Sequence, residues 1–220
     1  MPPTLRIIIP VYRDKPALSR LLPHLLQHWS AEELVVVDAG DDGAADLAES
    51  MDIRSLRAGT DRKGRARQMN DGARAVPEAD VLVFLHADTF LPPEARVQLE
   101  SAYRDGVVGG AFSRRFASPS PWLKFTCAIA DLRGKCLGWF YGDQAIHARR
   151  DVFEALGGFP EQEIFEDFDF SRNLKRQGEV RLLTPPVISH ARRFAAEGAW
   201  TRSWKDAWLT LCHVCKRDCM

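Results

Sequence analysis

Acidic and imidazole side chains stand directly after apolar runs of this sequence, at points where buried strands would end. Asp38 follows the run Leu34–Val37, and His86 and Asp88 follow the run Val81–Leu85. In an open parallel sheet, ligands bind beyond the carboxyl ends of the strands, so these side chains would share one edge. Carboxylates gathered there repel each other unless a hard divalent cation or a network of donors offsets their charge. The spacing therefore predicts a ligand site, with a bound cation as one way of balancing it.

A second acidic centre lies at Glu166 and Asp167, where a helix is predicted to begin. Acidic residues favour the first turn of a helix through its dipole, so helix capping is one interpretation. The phenylalanines at 165, 168 and 170 surround this pair in the sequence. An apolar environment raises the pKa of a carboxyl group, and a raised pKa suits a general base. We therefore favour a catalytic role.

Basic residues cluster ahead of another predicted helix, at Arg62, Lys63, Arg65 and Arg67. A helix N-terminus with arginines nearby suits a diphosphate, although a solvated charged loop explains any single one of these residues as well. The adjacent acids Asp41–Asp42 have a similar ambiguity, since aspartate is common in turns.

The elements that would position these residues alternate between strand and helix through the first half of the chain. Apolar runs without polar alternation indicate a sheet covered on both faces, hence an α/β fold with a mostly parallel sheet. Strands are predicted at Leu5–Val11, Leu34–Val37, Ile53–Leu56, Val81–Leu85, Val107–Phe116, Gln144–Ala148, Val180–Leu183 and Val187–Ser189. Helices are predicted at Pro16–His28, Ala44–Met51, Gly64–Val76, Pro92–Tyr103, Asp151–Leu156, Phe165–Gln177 and Trp200–Cys219, with one or two between Trp122 and Trp139.

Composition narrows the class of protein. The chain has 220 residues with equal numbers of acidic and basic side chains, which suits one domain and argues against a dedicated nucleic-acid binder. It has five cysteines, no apparent secretory signal and no apolar run long enough to cross a membrane. These features predict a cytoplasmic protein, with any membrane contact being peripheral.

Five segments occur in the order that is typical of one enzyme family. They read IIIPVY, VVVDAGDDG, GRARQMNDGA, FLHADTFLP and GGFP followed by FEDFDF. Together they resemble the family 2 glycosyltransferases, in particular short bacterial members with an H-A-D-T variant of the D-x-D motif. The match runs from about Leu5 to Phe194. Each segment alone is a weak signal, whereas five in order are a strong one.

The resemblance implies the GT-A fold, a three-layer sandwich with a C-terminal helix. It implies a nucleotide-binding half at 1–116, an acceptor-side half at 117–198 and an amphipathic helix at 199–220. The activity would be inverting transfer of a sugar from a nucleoside-diphosphate donor to an unidentified lipid-linked or small-molecule acceptor. A UDP sugar is favoured as the donor. The residues implicated are Pro10, Tyr12, Asp38, Arg65, Arg192 and Arg193 for the nucleotide, His86, Gly142, Asp143 and Gln144 for donor or acceptor, Asp88 for the metal, and Glu166 and Asp167 for catalysis, with Asp167 as the base.

Two segments depart from the family pattern. His86 stands at the first position of the D-x-D motif, which leaves Asp88 as the direct carboxylate ligand of Mg²⁺ or Mn²⁺. Imidazole suits Mn²⁺ better than Mg²⁺, and contact with the sugar is an equally good role for His86. The segment Ala191–Phe194 lacks the Gln and Trp of processive members, which favours addition of a single sugar.

Other functions remain to be weighed. A sugar-phosphate nucleotidyltransferase also uses metal-bound aspartates, and a non-catalytic nucleotide-sugar binder would tolerate His86 in the metal motif. A methyltransferase is less consistent, because no G-x-G-x-x-G motif follows a strand. The cysteines at 212, 215 and 219 favour a packed helix face over zinc. A tryptophan stripe at 200, 204 and 208 suggests core packing, or a membrane or dimer contact through the C-terminal helix.

Overall fold

The computed structural model describes residues 2–58, 64–190, 200, 209–210 and 212–213. Its strands are β1 Leu5–Val11, β2 Leu34–Asp38, β3 Arg54–Arg57, β4 Val81–Phe84, β5 Thr89–Phe90, β6 Gly109–Phe116, β7 His147–Arg149 and β8 Val180–Ser189. Its helices are α1 Lys15–Leu25, α2 Ala44–Glu49, α3 Arg65–Arg74, α4 Ala95–Arg104, α5 Pro121–Leu137, α6 Arg150–Ala155 and α7 Glu166–Gln177. Short 3₁₀ turns occupy Ala31–Glu33 and Gly142–Gln144.

These strands form one sheet in the order β3-β2-β1-β4-β7-β6-β8-β5. The strands β3, β2, β1 and β4 run parallel, as do β6 and β8. The short strand β7 is antiparallel to both β4 and β6, and β5 is antiparallel to β8. The carboxyl ends of β1, β2 and β4 therefore share one edge, as the sequence predicts.

The sheet is covered on both faces, which confirms the three-layer α/β architecture. Ile7 and Ile9 of β1 pack on one side with apolar residues of α1 and α4. Ile8 points to the other side and packs with apolar residues of α3, α6 and α7. Alternate residues of a strand face opposite sides of a sheet, so a strand buried on both faces must be apolar throughout.

The segment GRARQMNDGA fixes α3 against the sheet. A side chain at Gly72 would approach Ile8 Cγ2 to 2.4 Å, so only glycine allows this close contact. The Gln68 side-chain amide donates to the backbone carbonyls of Val11 and Val37, both at 2.7 Å. It thereby joins the ends of β1 and β2 at the edge where the candidate site lies.

The second half differs from the predictions in detail. The two strands predicted at Val180–Leu183 and Val187–Ser189 form one strand, β8, with a register shift opposite Phe112/Arg114. The strand predicted at Gln144–Ala148 is wrong in its first part, because Gln144 ends a 3₁₀ turn and Ala145 has a left-handed backbone, with φ 49°. One helix, α5, spans most of the segment between Trp122 and Trp139.

The predicted helix Trp200–Cys219 lies largely outside the described residues. Those described at 200, 209–210 and 212–213 are helical. Among the described residues, no helix is both long and apolar enough to cross a bilayer.

Candidate functional site

The first turn of α7 presents two buried carboxylates. Phe165 precedes the helix with a left-handed backbone, φ 66°, which turns the chain sharply before Glu166 and Asp167. Glu166 is 1% exposed and Asp167 is 7% exposed. A buried carboxylate requires partners that offset its desolvation, and the neighbouring elements supply them.

Asp167 accepts two backbone hydrogen bonds. Its Oδ1 accepts from the Phe168 amide at 2.7 Å, and its Oδ2 accepts from the Gly142 amide. Burial raises the pKa of Asp167 to about 6; Arg65 and the two amides oppose this rise, while Glu166 adds to it. A carboxylate with a pKa near 6 is ionised at neutral pH and is a stronger base than an ordinary aspartate.

Arg65 joins the acidic pair to His86 of the segment FLHADTFLP. Its Nε donates to Glu166 Oε1 at 2.6 Å, and its Nη1 lies 3.3 Å from His86 Nε2. The implied contact of Arg65 with the nucleotide and its phosphates stays a prediction; in the structure its guanidinium lies against the Glu166 carboxylate. The second oxygen of Glu166 is buried and has no hydrogen-bond partner in the described part of the chain.

Asp143 lies beside this cluster and pairs with Arg114 of β6. Burial opposes ionisation of Asp143, but Arg114, His86 and Arg133 together hold its pKa below the usual value. Arg114 and Arg133 are not among the residues that the sequence predicts for the site. A charged residue inside an apolar strand is the signal that would have identified Arg114, whereas Arg133 carries no such signal.

Arg133 and Gln144 hold the loop that precedes β7. Gln144 is fully buried, and its Oε1 accepts from Arg133 at 3.3 Å and from the Tyr141 amide at 3.1 Å. Its amide nitrogen donates to the Phe112 carbonyl at 3.3 Å. Gln144 therefore fixes the loop, while its predicted contact with donor or acceptor stays a prediction.

Gly142 fits tightly between the two sides of the site. A Cβ atom at this position would lie 2.6 Å from His86 Nε2 and 3.0 Å from Asp167 Oδ2, both below ordinary contact distances. We expect Gly142→Ala to reduce turnover at least about tenfold, because displacement of reacting groups by about 1 Å costs far more than that in oriented reactions. Steady-state kinetics and thermal unfolding would measure the effect.

The control for this substitution is Gly106→Ala. Gly106 has a left-handed backbone, with φ +87°, and a Cβ there would meet nothing within 4 Å. That variant should lose stability through backbone strain and keep its turnover. Equal turnover in Gly142→Ala and the wild type would show that the close fit of Gly142 between His86 and Asp167 has no catalytic importance.

The carboxyl ends of β1 and β2 lie next to the end of β4 at the same edge of the sheet. Asp38 is buried, and its two oxygens accept from the amides of Gly40 at 2.7 Å and Ala45 at 3.0 Å. It organises the loop after β2; its predicted bond to a base stays a prediction, as does the assignment of Pro10 and Tyr12 to the base pocket.

A structural role in the turn after β2 is favoured for Asp41 and Asp42. Asp41 forms a two-point contact with Arg13, at 2.9 and 3.0 Å, and Asp42 accepts from the Lys15 amide at 2.8 Å.

Asp88 follows β4 at the same edge and is partly buried. Among the described residues, no group of three or more His, Cys, Asp or Glu side chains is arranged to hold a metal ion. The chain itself therefore offers one or two ligands at most within that part. The predicted phosphate ligands Arg192 and Arg193 lie outside the described residues.

Described residues of the C-terminal segment contact the start of α7 and the loop that follows α5. His213 Nε2 lies 3.0 Å from Asp169 Oδ1, and its ring stacks on Phe165 with centroids 4.7 Å apart. Thr210 Oγ1 lies 2.8 Å from the Tyr141 hydroxyl. Cys212 is a free thiol; the other cysteines of the predicted helix lie outside the described residues.

The sequence profile of Glycosyl transferase family 2 matches residues 6–157 of the chain. No curated protein sequence gives a significant match.

Three solved structures share the fold. A mannosyltransferase from Pyrobaculum calidifontis, in complex with GDP-Man and Mn²⁺, is 22% identical with a TM-score of 0.66 over 86% of this chain and 57% of its own. TarS 1-349 of S. aureus with UDP-GlcNAc is 16% identical, with a TM-score of 0.65 over 85% of this chain and 58% of its own. GalNAc-T7 with UDP, GalNAc and Mn²⁺ is 14% identical, with a TM-score of 0.65 over 86% of this chain and 44% of its own. The present chain thus spans roughly half the length of each.

Proposed function

Because the chain belongs to glycosyl transferase family 2, we propose that it transfers a single sugar from a nucleoside-diphosphate donor to an acceptor hydroxyl, with inversion at the anomeric carbon. The donor is a UDP sugar in this proposal, and a divalent cation assists. The observation that carries the proposal is Asp167, a buried carboxylate with a pKa of about 6 that lies next to His86, Arg65 and Gly142.

Asp167 acts on the acceptor. As the acceptor oxygen attacks the anomeric carbon, its proton passes to the Asp167 carboxylate, and the bond to the diphosphate breaks with its electron pair on the leaving oxygen. Attack from the face opposite the diphosphate inverts the configuration. The amides of Gly142 and Phe168 hold the carboxylate in position, so little reorganisation is needed when the proton moves. A binder without catalysis would have no need for a buried base with a raised pKa.

The donor lies along the carboxyl ends of β1, β2 and β4. The pocket for the nucleotide base is lined by Pro10, Tyr12 and Asp38. Arg65, on α3, faces the reacting sugar and the phosphates of the donor. Arg65 is held in place by Glu166, which also keeps its charge close to His86. In this reading Asp143 and His86 contact the donor sugar.

The few metal ligands that the protein offers fit a divalent cation when the diphosphate supplies most of the cation's other ligands. Asp88 offers one carboxylate at the end of β4, and Mg²⁺ and Mn²⁺ both retain water and phosphate oxygens as ligands. When bound, the cation neutralises charge on the departing diphosphate. Two of the structural neighbours are complexes with Mn²⁺, which supports this part of the proposal.

A thermal-shift panel of nucleotide sugars tests the donor. Ligands that bind only the folded state raise the unfolding temperature, so the true donor should give the largest shift. UDP sugars with Mn²⁺ should exceed GDP sugars and free sugars. A chain that no nucleotide sugar stabilises, with or without Mg²⁺ or Mn²⁺, contradicts the proposal. Binding without release of nucleoside diphosphate would favour a non-catalytic nucleotide-sugar protein.

Asp88→Ala should remove the metal-dependent part of nucleotide affinity. We expect Mn²⁺ to tighten binding of UDP to the wild type at least about tenfold, and to change binding to the variant little, because the carboxylate that recruits the cation is gone. Calorimetric titration of UDP with and without Mn²⁺ measures this. Asp41→Ala is the matched control, since Asp41 lies at the same sheet edge but bonds Arg13. Identical titrations for wild type and Asp88→Ala would exclude a metal at Asp88.

A further inference from the structure

The outer face of α5 carries an apolar stripe. Phe125, Ile129 and Leu132 are 54%, 49% and 63% exposed, while Leu123, Cys127, Ala130 and Gly134 on the opposite side of the same helix are buried. Residues spaced by three and four positions share one side of a helix, so the three exposed side chains form a continuous ridge. Exposed apolar groups grouped in this way mark an interaction surface more often than scattered ones.

Aromatic rings extend the stripe at the start of α5. The ring of Trp122 lies 5.5 Å from that of Phe125 and 4.2 Å from that of Trp200, and Trp200 is itself 58% exposed. Indole rings combine an apolar body with a polar N–H group, which suits the boundary between lipid chains and water.

The charges on this face have one sign. Lys124 and Lys135 are exposed and stand 11 positions apart, three helical turns, so both lie along the same edge of the stripe. None of the exposed residues of α5 is acidic; its one internal acid, Asp131, is partly buried and pairs with Arg115 at 2.8 Å. Lysines beside an apolar surface can extend their ammonium groups towards anionic headgroups while their methylenes stay in apolar contact.

We propose that this face of α5, together with Trp122 and Trp200, is a docking surface for an anionic lipid bilayer. A second copy of the chain is a poorer partner, because two-fold packing of this face on itself would bring lysines together with no exposed α5 carboxylate to meet them. Gly138 ends α5, and the chain then runs through Trp139–Tyr141 to Gly142, which bonds Asp167. Docking through α5 therefore anchors the helix that leads directly into the Gly142 turn. The inference stands on the α5 face and does not depend on the proposed function.

Vesicle flotation of the full chain tests the docking surface. We expect co-flotation with vesicles of phosphatidylglycerol and phosphatidylcholine in equal parts, little with phosphatidylcholine alone, and release at about 0.5 M salt, where charges are screened within a few ångströms. Phe125→Glu combined with Leu132→Glu should lower the partition constant at least about tenfold, since two carboxylates would enter the apolar contact. Lys124→Gln with Lys135→Gln should remove the preference for anionic vesicles.

Val97→Glu is the matched control. Val97 is 64% exposed on α4, away from the α5 stripe, so this variant should float as the wild type does. Thermal unfolding and UDP binding of each variant separate lost docking from lost folding or lost nucleotide binding. Absence of flotation by the wild type, or equal flotation by the Phe125/Leu132 variant, overturns the proposal. A wild-type dimer in sedimentation that the same variant dissociates, without vesicle binding, would assign the stripe to a second copy instead.

Discussion

Replacing Asp167 with asparagine is expected to reduce sugar transfer by about 10²–10⁴-fold, while the donor nucleotide still binds. The amide keeps the size and shape of the side chain but cannot take a proton from an acceptor hydroxyl. Both oxygens of Asp167 accept backbone hydrogen bonds, so the amide must place its NH₂ group against one of those donors. Calorimetry with the nucleotide and release of nucleoside diphosphate from the donor would measure the two properties separately.

The pH profile is the second part of this test. Burial raises the pKa of Asp167 to about 6, and only the ionised carboxylate can act as a base. The value of kcat/KM should therefore fall about tenfold per pH unit below pH 6 and level off above it. Asp169→Asn is a control for loss of charge in the same helical turn, because Asp169 faces His213 and Gln162 instead of Gly142. Turnover by Asp167→Asn equal to wild type would remove Asp167 from the mechanism.

The parallel half of the fold could be predicted from sequence because its strands are buried on both faces. Runs such as Leu34–Val37 then contain no polar alternation and stand out from the helices around them. The other half gives weaker signals. The strand β7 has only three residues and runs against both neighbours, and β8 contains Pro185 and Pro186, which normally interrupt a strand. Pairing with distant segments, and not local sequence, decides these elements.

The candidate site was predictable where a motif carries it. Separate segments supply His86, Gly142 and Asp167, and the fold places the His86 and Asp167 side chains on either side of Gly142. Arg114 and Arg133 were missed because their roles depend on burial next to Asp143 and Gln144, which only the folded chain creates. A sequence motif identifies residues that contact a ligand more readily than it identifies the residues that position them.

Arg65→Gln should lower both stability and transfer. Glu166 would be left buried without its cation, and breaking a buried pair by removing one partner costs about 3–5 kcal/mol. Since the Arg65 side chain is 36% exposed, water reaches the vacated space and we expect a loss nearer 2–3 kcal/mol. In the proposed function this guanidinium lies beside His86 and faces the donor phosphates, so its loss should reduce kcat/KM about 10²-fold, which corresponds to roughly 3 kcal/mol.

Arg67→Gln is the matched control for this variant. Arg67 stands two residues further along the same helical turn and pairs with Glu161 at 2.7 Å, but both side chains of that pair are more than 40% exposed. Exposed ion pairs contribute about 0–1 kcal/mol, so Arg67→Gln should change stability and turnover little. Chemical denaturation and steady-state kinetics on the two variants would measure the contrast. Similar behaviour of the two would show that Arg65 is a solvated surface charge.

The pH profile separates a role at the base from a role in folding alone. Arg65 lowers the pKa of Asp167 and Glu166 raises it, so the two substitutions should act in opposite directions. In Arg65→Gln the acid limb of the kcat/KM profile should move to higher pH, because the carboxylate loses the cation that favours its ionised form. In Glu166→Gln the limb should move to lower pH, because a neighbouring negative charge is gone. A variant that only loosens the fold would lose turnover at every pH, and the acid limb of its kcat/KM profile would not move. Opposite movements of the acid limb in Arg65→Gln and Glu166→Gln would require that both side chains act on the carboxyl group of Asp167 that takes the proton.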